Sequence, residues 1–452
     1  MKDMKRNIWI VTLLLIISCQ GITAQAKKWT LEDCITYAVK NNIGLRRQRL
    51  QNETAEANLL KSRMDMLPSL NSGADASVGF GRSIDPTTNL ITFNRNLSNQ
   101  YYVTSSLQLF NGFTTLNTIS ANKFLVKAGV ETEKVTRNAL IIDIMNEYYQ
   151  VLYTRGLENA SKSQFDLSEK QLVRMAKMVE TGREAVSKQY ELESQVSSDQ
   201  LAYTVAKNTA SQALTSLRQL LQIEPGAEFD ILIPDLNNLL ISDNNFKPDS
   251  IYYIAAQTLP RLKAIEFDLR ASKKQIAAQR GSLLPSVTAG GALFTGYYLL
   301  INQSVDQESF RNQIKTNFNQ GVSLTLEIPI FNRYNNGRNI RLAKIRKYDT
   351  ELKLELEKNT LYTEIENACL NFNRGKDEYS AAASNFGYNK KSFEAVEKKF
   401  EAGLVDVTVY SAAKNTLFRA ETEALRTKLQ LLIRKLTIQF YSTGEYENIL
   451  NN

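Results

Sequence analysis

The sequence contains no histidine among its 452 residues. This absence excludes mechanisms that need an imidazole as general base or metal ligand, including the Ser-His-Asp triad. Only three cysteines occur, Cys19, Cys34 and Cys369, and none lies in a CxxC pair. Structural zinc sites and thioredoxin-type chemistry are therefore excluded as well. Since no phosphate loop, nucleophile motif or clustered carboxylate pair is present, we expect no enzyme activity, no metal and no cofactor.

Proline and glycine, which interrupt helices, are also scarce, at 8 and 20 residues. The prolines leave residues 87–224 and 330–452 uninterrupted. Because proline breaks a helix interior, these two segments can hold very long helices.

The formal net charge of +8 arises from 55 basic residues dispersed among 47 acidic ones. This mixture is typical of a solvated helical surface, and we expect no nucleic acid partner.

Residues 1–26 have the three-part pattern of a secretory signal peptide. Basic residues precede an apolar run from Ile8 to Ile17, and Ala24-Gln25-Ala26 follows as a small-x-small cleavage site. The apolar run is too short to span a bilayer as a stable anchor. In an alternative interpretation, residues 16–19 form a loose lipoprotein box, and Cys19 becomes the acylated first residue of the mature chain. Both interpretations predict export across the inner membrane.

Three short motifs recur in the same order along the chain. The matching segments are 66–70 with 283–287, 109–111 with 330–332, and 180–182 with 401–403. Their offsets, 217, 221 and 221 residues, are nearly constant. We therefore predict two structural repeats, at 27–221 and 249–442. A connector with little helix separates them at 222–248, and a C-terminal tail follows at 443–452.

Each repeat changes from a helical to a strand-like pattern and back. Helical patterns at 31–66 and 249–283 end at Pro68 and Pro285, which we interpret as helix-to-strand turns. Side chains then alternate between apolar or small and polar. The alternating segments are 70–80 and 101–109 in the first repeat, and 287–295 and 322–328 in the second. The sequence thus predicts two strands per repeat.

Long helical segments follow each strand pair. We predict helices over 114–181 and 338–402, each about 100 Å long. Return helices at 187–221 and 408–442, with Ser187 and Thr408 as their caps, have about half that length. The combined length of one return helix and one helix preceding the strands matches the length of one long helix. Helices of this length must bury apolar stripes in lateral coiled-coil contacts.

The four strands fit an outer membrane barrel better than a soluble sheet. Each strand has about ten residues and one apolar face. Aromatic residues lie near the strand ends, namely Phe80, Tyr101, Tyr297 and Tyr298. Four strands cannot close a barrel, and open edges would leave backbone groups unpaired in lipid. Two chains would give eight strands and a nearly filled interior, whereas three would give twelve strands and room for a channel.

With these features, the sequence resembles the TolC-like outer membrane efflux proteins. The resemblance covers nearly all of the mature chain, from Trp29-Thr30-Leu31 through both Leu-Pro-Ser turns to Ala402-Gly403. It implies a mostly α fold with a small β part. Long antiparallel coiled-coil helices form a periplasmic α-barrel, and each protomer contributes four strands to a shared twelve-stranded outer membrane β-barrel.

The function implied by the resemblance is that of a homotrimeric channel. It would act as the exit duct of a tripartite efflux pump or a type I secretion system. Its partners would be outer membrane lipid, a periplasmic adaptor (membrane fusion protein) and, through the adaptor, an inner membrane transporter. It would lie in the outer membrane with a long periplasmic extension.

The resemblance also assigns a role to the glycine-centred turns between helices. Family members use such hairpins as periplasmic tips that contact the adaptor and constrict the pore. The matching positions are Thr181, Gly182, Arg183 and Glu184 in the first repeat, and Ala402, Gly403, Leu404 and Val405 in the second. In a simpler role, Gly182 and Gly403 only allow each helix to end and turn. The two roles are compatible.

Candidates for the pore constriction follow the two glycines. Some family members place acidic residues six and nine positions after the second glycine, where this chain has Val409 and Ala412. An acidic cation-binding ring is therefore not implied here. Lys188, six residues after the first glycine, and Asp406 are nearby charges, and we hypothesise that they pair across the closed tip.

Cys34 and Cys369 are expected at similar depth in their helices, so a disulfide is geometrically possible in an oxidising compartment. Similar depth does not mean adjacency, and we favour two buried free thiols.

Two rival functions remain. One is a substrate-specific porin, which would need more strands per chain. The other is a periplasmic coiled-coil scaffold or adaptor with soluble hairpins.

Overall fold

A computed structural model describes residues 28–84, 89–234, 246–301 and 308–444. The predicted signal peptide, the lipidation candidate Cys19 and residues 445–452 of the predicted tail lie outside these ranges. The chain divides into two compact units. The first, here the tip unit, comprises Met1–Arg46, Thr136–Ala255 and Tyr362–Asn452, and the second, here the sheet unit, comprises Arg47–Val135 and Ala256–Leu361.

The described chain is mostly helical with a small β part, which confirms the predicted fold class. The first half contains β1 (Lys28–Trp29), α1 (Leu31–Asn41), α2 (Ile43–Met64), β2 (Ser69–Ile84), β3 (Ile91–Asn111), α3 (Thr114–Glu180) and α4 (Val186–Leu221). The second half contains β4 (Asp230–Ile231), α5 (Pro248–Thr258), α6 (Pro260–Gly281), β5 (Ser286–Ile301), α7 (Phe310–Thr316), β6 (Asn319–Glu327), α8 (Asn335–Glu401) and α9 (Val407–Thr443).

The helix before each strand pair is interrupted, so the prediction of one continuous helix is wrong at two residues. Asn42 is extended, with φ −61° and ψ 126°, and its Oδ1 accepts a hydrogen bond from the Leu45 N–H at 3.2 Å. Asn42 therefore ends α1 and caps α2. Pro260 begins α6, and Leu259 is extended because a residue before proline is disfavoured in the helical region.

The long helices agree closely with the prediction. Both α3 and α8 contain 67 residues, and their bounds differ by 221 positions at each end. Neither contains proline, as the sequence pattern required. Across the described helices, no stretch combines the length and apolar character needed to cross a membrane.

The predicted connector at 222–248 is described in part. It contributes β4, which pairs in parallel with β1. The Trp29 ring contacts Tyr37 and Phe229 edge to face, and the Tyr148 hydroxyl donates to the Leu232 carbonyl at 2.6 Å. These contacts hold β1 against the described part of the connector. The boundaries of the two repeats remain a prediction.

The four longer strands form one antiparallel sheet in the order β2-β3-β5-β6. Its register aligns Gly73, Tyr102, Phe294 and Asn319 across the four strands. β2, β3 and β5 extend farther than predicted, to 16, 21 and 16 residues. β2 and β6 are the edge strands, and in the described residues no further strand pairs with their outer sides.

The two faces of this sheet differ in chemistry. The apolar face carries Leu70, Ala74, Val78 and Phe80 of β2, Leu97, Val103 and Leu107 of β3, Leu293, Tyr297 and Leu299 of β5, and Val322, Leu324 and Leu326 of β6. The polar face carries Asn71, Asp75, Ser77, Asn96, Gln100, Thr104, Thr288, Ser323 and Thr325. The apolar face is uncovered in one chain, since Val322 is 93% exposed and Leu324 is 71% exposed.

A short helix that was not predicted from the sequence, α7, stands beside the outer half of β5. β6 has 9 residues against 16 in β5, so β6 reaches only as far as Phe294. Beyond that point the Gln313 side chain accepts from the Tyr298 N–H and donates to the Tyr298 carbonyl, both at 2.9 Å. An amide side chain thus replaces a strand partner there.

The change from strand to helix occurs through left-handed residues in both halves. Gly112 and Phe113 have φ of 64°, and Arg333 and Tyr334, 221 positions later, have φ of 54° and 65°. In the sheet unit, Gly112 lies against Gly281 at the end of α6. A Cβ on Gly281 would lie 2.4 Å from the Gly112 carbonyl oxygen, which leaves room only for glycine.

We expect Gly281→Ala to lower the free energy of unfolding by about 1–3 kcal/mol, because the added methyl group must displace backbone. Gly387→Ala in α8 is the matched control. An added Cβ there meets nothing within 4 Å, so it should stabilise the helix by about 0.5–1 kcal/mol. Thermal unfolding followed by far-ultraviolet circular dichroism measures both. Equal stability of Gly281→Ala and the parent would contradict the requirement for glycine at this junction.

Candidate functional site

The two predicted tip turns have the same backbone structure. At the end of α3, the N–H groups of Thr181, Gly182 and Arg183 donate to the carbonyls of Lys177, Val179 and Met178. At the end of α8, residues 402, 403 and 404 donate to 398, 400 and 399, so every partner is shifted by 221. Gly182 and Gly403 have φ of 71° and 73°. A side chain added at either glycine would meet open space, so crowding is not the reason for glycine there. The reason is the left-handed backbone conformation, which glycine adopts without strain.

The caps that follow the turns differ from the predicted ones. Ser187 and Thr408 lie inside α4 and α9, and the N-cap positions are Ala185 and Asp406, again 221 residues apart. Asp406 Oδ1 accepts from the Val409 N–H at 3.0 Å, whereas Ala185 has no side chain able to cap. Both observed N-caps therefore lie two residues before the predicted ones.

Residues of both tips line one small cavity in the tip unit. It has a volume of about 20 Å³ and includes Arg174, Met178, Glu184, Lys188, Gly403 and Asp406 in its wall. The structure therefore brings together Glu184 and Lys188 of the first tip with Gly403, Val405 and Asp406 of the second. Thr181, Arg183, Ala402 and Leu404 are exposed on the turns themselves, with Leu404 at 74%.

The two charges proposed for the constriction have other partners within the chain. Lys188 Nζ lies 2.6 Å from Oε2 of Glu184, four residues earlier, and the Asp406 carboxylate caps α9. A pairing of Lys188 with Asp406 across the closed tip remains a prediction. Val409 and Ala412 lie on exposed positions of the first turns of α9.

Apolar and aromatic contacts hold the two tips together. Met175, Leu192 and Val407 form a buried cluster, against which Leu172, Val179 and Phe400 pack. The Phe400 and Tyr410 rings stack with centroids 4.5 Å apart. Arg174 donates to the Glu401 carbonyl at 2.8 Å, which ties α3 to the last residue of α8.

A buried ion pair that was not predicted from the sequence joins three helices behind the tips. Lys414 of α9 is fully buried and contacts both Asp199 of α4 and Ser168 of α3. Ser168 donates to the same Asp199 oxygen, and Gln195 donates to the other at 2.9 Å. Burial lowers the pKa of the Lys414 ammonium, and the contact with Asp199 opposes that shift.

The sequence contained a signal for this ion pair. Leu192, Asp199, Ala206 and Ala213 are buried and recur every seven residues along α4. In α9, Lys414 follows the buried Val407 by seven residues and Tyr410 by four. A charged residue in an otherwise apolar seam indicates a buried partner on a facing helix, because an unpaired charge there would be prohibitively unstable.

Cys34 and Cys369 are both buried and are free thiols, in agreement with the favoured alternative. Burial raises the pKa of Cys34 to about 12 and also raises the pKa of Cys369. Neither thiol is therefore poised as a nucleophile.

Pro68 and Pro285 lie one residue before β2 and β5, at the predicted helix-to-strand turns.

Comparison with known proteins connects this architecture to a family. A family model described as Outer membrane efflux protein matches residues 251–443. The Toxin and drug export protein A of Aggregatibacter actinomycetemcomitans is 21% identical over 74% of this chain and 70% of its own. The Toluene efflux pump outer membrane protein TtgF of Pseudomonas putida is 21% identical over 93% of this chain and 84% of its own.

Solved structures show the same fold at low identity. CusC superposes with a TM-score of 0.76 at 17% identity, covering 92% of each chain. The Campylobacter jejuni CmeC outer membrane channel gives a TM-score of 0.74 at 17% identity, covering 93% of this chain and 88% of its own. Together with the sequence relatives, these matches confirm the predicted resemblance to TolC-like outer membrane efflux proteins.

The buried ion pair yields a test of how the tips are held. We expect Lys414→Met to destabilise the protein by about 3–5 kcal/mol, because Asp199 is left buried without a counter-charge. Adding Asp199→Leu should recover most of that loss, since an apolar pair no longer contains an isolated charge. Chemical denaturation monitored by circular dichroism measures both variants.

The control is Lys61→Met, which breaks the exposed Lys61–Asp65 pair and should leave stability unchanged. A double variant as unstable as Lys414→Met alone would show that the charge pair is not what links the three helices.

Proposed function

We propose that this chain, which resembles the TolC-like outer membrane efflux proteins over nearly its whole length, is a homotrimeric outer membrane channel. It acts as the exit duct of a tripartite efflux pump or a type I secretion system, with its helices extending into the periplasm. It moves substrate to the exterior and carries out no catalysis. The observation that carries the proposal is an open four-stranded sheet with one exposed apolar face and one polar face.

The edges of that sheet support assembly from several copies. In a bilayer, each unpaired backbone N–H or C=O of β2 and β6 would cost several kcal/mol. Joining the β2 edge of one copy to the β6 edge of the next removes every free edge. Three copies give a closed barrel of twelve strands, in which the apolar face contacts lipid and the polar face lines a water-filled lumen.

The helices of the sheet unit support the same assembly. Ile345, Tyr348, Leu352 and Leu356 of α8 are spaced by three or four residues and are all between 47% and 66% exposed. Such spacing places them on one face of the helix. A stripe of this kind is normally buried against another helix. Lateral contact with an adjacent copy would bury it.

The tip turns are the proposed docking site for a periplasmic adaptor, which would link the channel to an inner membrane transporter. Two supporting features are the exposure of residues 181–183 and 402–404 and the matching geometry of the two turns. Three copies would present six turns with the same backbone structure, a repeat suited to a ring of adaptor molecules. Lys188, Asp406, Val409 and Ala412, on the helices beside these turns, are the proposed constriction residues.

Adjacent residues of β6 provide a test of which face meets lipid. Leu324→Arg should abolish assembly in the membrane, because an arginine near the bilayer midplane costs about 2–4 kcal/mol in each copy. Thr325→Arg, one residue later on the polar face, should assemble and change the ion selectivity of the pore. Detergent extraction of membranes and planar-bilayer recordings measure the two effects.

The reverse pattern, with Leu324→Arg tolerated and Thr325→Arg excluded, would mean that the faces are assigned wrongly. A parent chain released from the envelope by carbonate wash would instead favour the periplasmic scaffold.

A second test concerns the tips. Lys188→Glu replaces the ion pair with Glu184 by two like charges four residues apart, and it places a further negative charge beside Asp406 in the cavity between the tips. We expect this repulsion to loosen the closed tips and raise single-channel conductance in planar bilayers. The control is Lys61→Glu, which reverses an exposed charge in the sheet unit. Unchanged conductance for Lys188→Glu would remove Lys188 from the constriction.

A further inference from the structure

Charge is confined to one end of the apolar face of the sheet. Among the described residues of that face, only Arg82 and Arg95 are charged. They lie at the β2–β3 hairpin, opposite to the end where Ser69 joins the helices. Two arginines on a face otherwise made of apolar, aromatic and neutral polar side chains need a physical reason, because exposed cations inside lipid are unfavourable.

Each arginine lies directly across from a phenylalanine. In the β2–β3 register, Arg95 is opposite Phe80 and Arg82 is opposite Phe93. The four side chains therefore form a block of alternating rings and guanidinium groups, with the two arginines on one diagonal. Diagonal neighbours in an antiparallel pair are about 7–8 Å apart, within reach of long side chains. Both guanidinium groups can thus converge on one small anion.

The rings beside the arginines point to an amphipathic ligand. Phe80 and Phe93 are 73% and 81% exposed, and Ile84 and Ile91 continue the apolar surface. The Arg95 guanidinium lies 5.4 Å from the centre of the Phe80 ring, which orients it along the face. Arginine binds phosphate through two parallel hydrogen bonds, a geometry that lysine cannot reproduce. The block therefore combines a phosphate-binding pair with a surface for acyl chains.

We propose that Arg82 and Arg95 bind a phosphate group of an outer-leaflet lipid, while Phe80 and Phe93 contact its acyl chains. The inference rests on the proposed function, since the apolar face must lie in a membrane. The ligand is a phosphorylated, multiply acylated lipid rather than free phosphate, because the exposed rings give inorganic phosphate nothing to contact. The site anchors the outer rim of the barrel at the level of the lipid head groups.

Native mass spectrometry of the full chain, purified in detergent, tests this proposal. The probes are bisphosphorylated lipid A and the same lipid after removal of both phosphates. We expect the parent protein to bind the phosphorylated lipid about tenfold to a hundredfold more tightly, the range that charged hydrogen bonds supply. R82Q/R95Q should lose this preference, and R82K/R95K should keep part of it. R346Q, which removes an exposed arginine from α8, should retain it fully.

Equal affinity of the parent for the two lipids would overturn the proposal, and so would an unchanged preference in R82Q/R95Q. The comparison of the two lipids needs only the parent, so it decides the matter even if the double variant fails to assemble. Displacement of bound lipid A by excess inorganic phosphate would also contradict a lipid site. Planar-bilayer conductance is recorded on the same preparation. A conducting parent without lipid preference overturns this inference alone, whereas a parent that never inserts overturns the proposed function.

Discussion

Among the residues that the structure describes, the outer edges of β2 and β6 have no strand partner, and the proposed assembly depends on these unpaired backbone groups. A four-stranded sheet with an apolar face and a polar face is too narrow to close on itself, and lipid offers no hydrogen bonds to its edges. We propose that further copies of the same chain complete both edges at once. In that barrel the helices of several copies would lie side by side, and the exposed stripe on α8 would acquire a partner.

Near-repetition along the chain gives the described backbone its regularity. The tip turns, the strand-to-helix junctions and the 67-residue helices each recur at an offset of 221 residues. The backbone repeats more closely than the side chains do. Asp406 caps α9 where Ala185 leaves α4 uncapped, and Arg333 and Tyr334 take the conformation of Gly112 and Phe113. The two tips thus share a backbone structure while they present different side chains.

Much of the fold follows from patterns that one chain displays. The proline-free segments and the alternating strands predicted α3, α8 and the sheet to within a few residues, apart from the extra length of β2, β3 and β5. Local chemistry was harder to foresee. The break at Asn42 depends on one side-chain hydrogen bond, and α7 depends on Gln313 meeting the backbone of Tyr298.

The candidate site shows the same division. Gly182 and Gly403 were predictable because a helix that turns needs a left-handed residue. The partners of Lys188 and Lys414 were not, because helix packing decides which charges meet. Lys414 stood in an apolar seam, a signal that identified burial but not Asp199 as its partner.

The number of chains in the detergent-solubilised particle tests the central claim most directly. Native mass spectrometry of protein extracted from the outer membrane should give a mass of three mature chains, which dissociate together on loss of the barrel. A water-soluble single chain, with β2 and β6 unpaired and stable, would contradict the account.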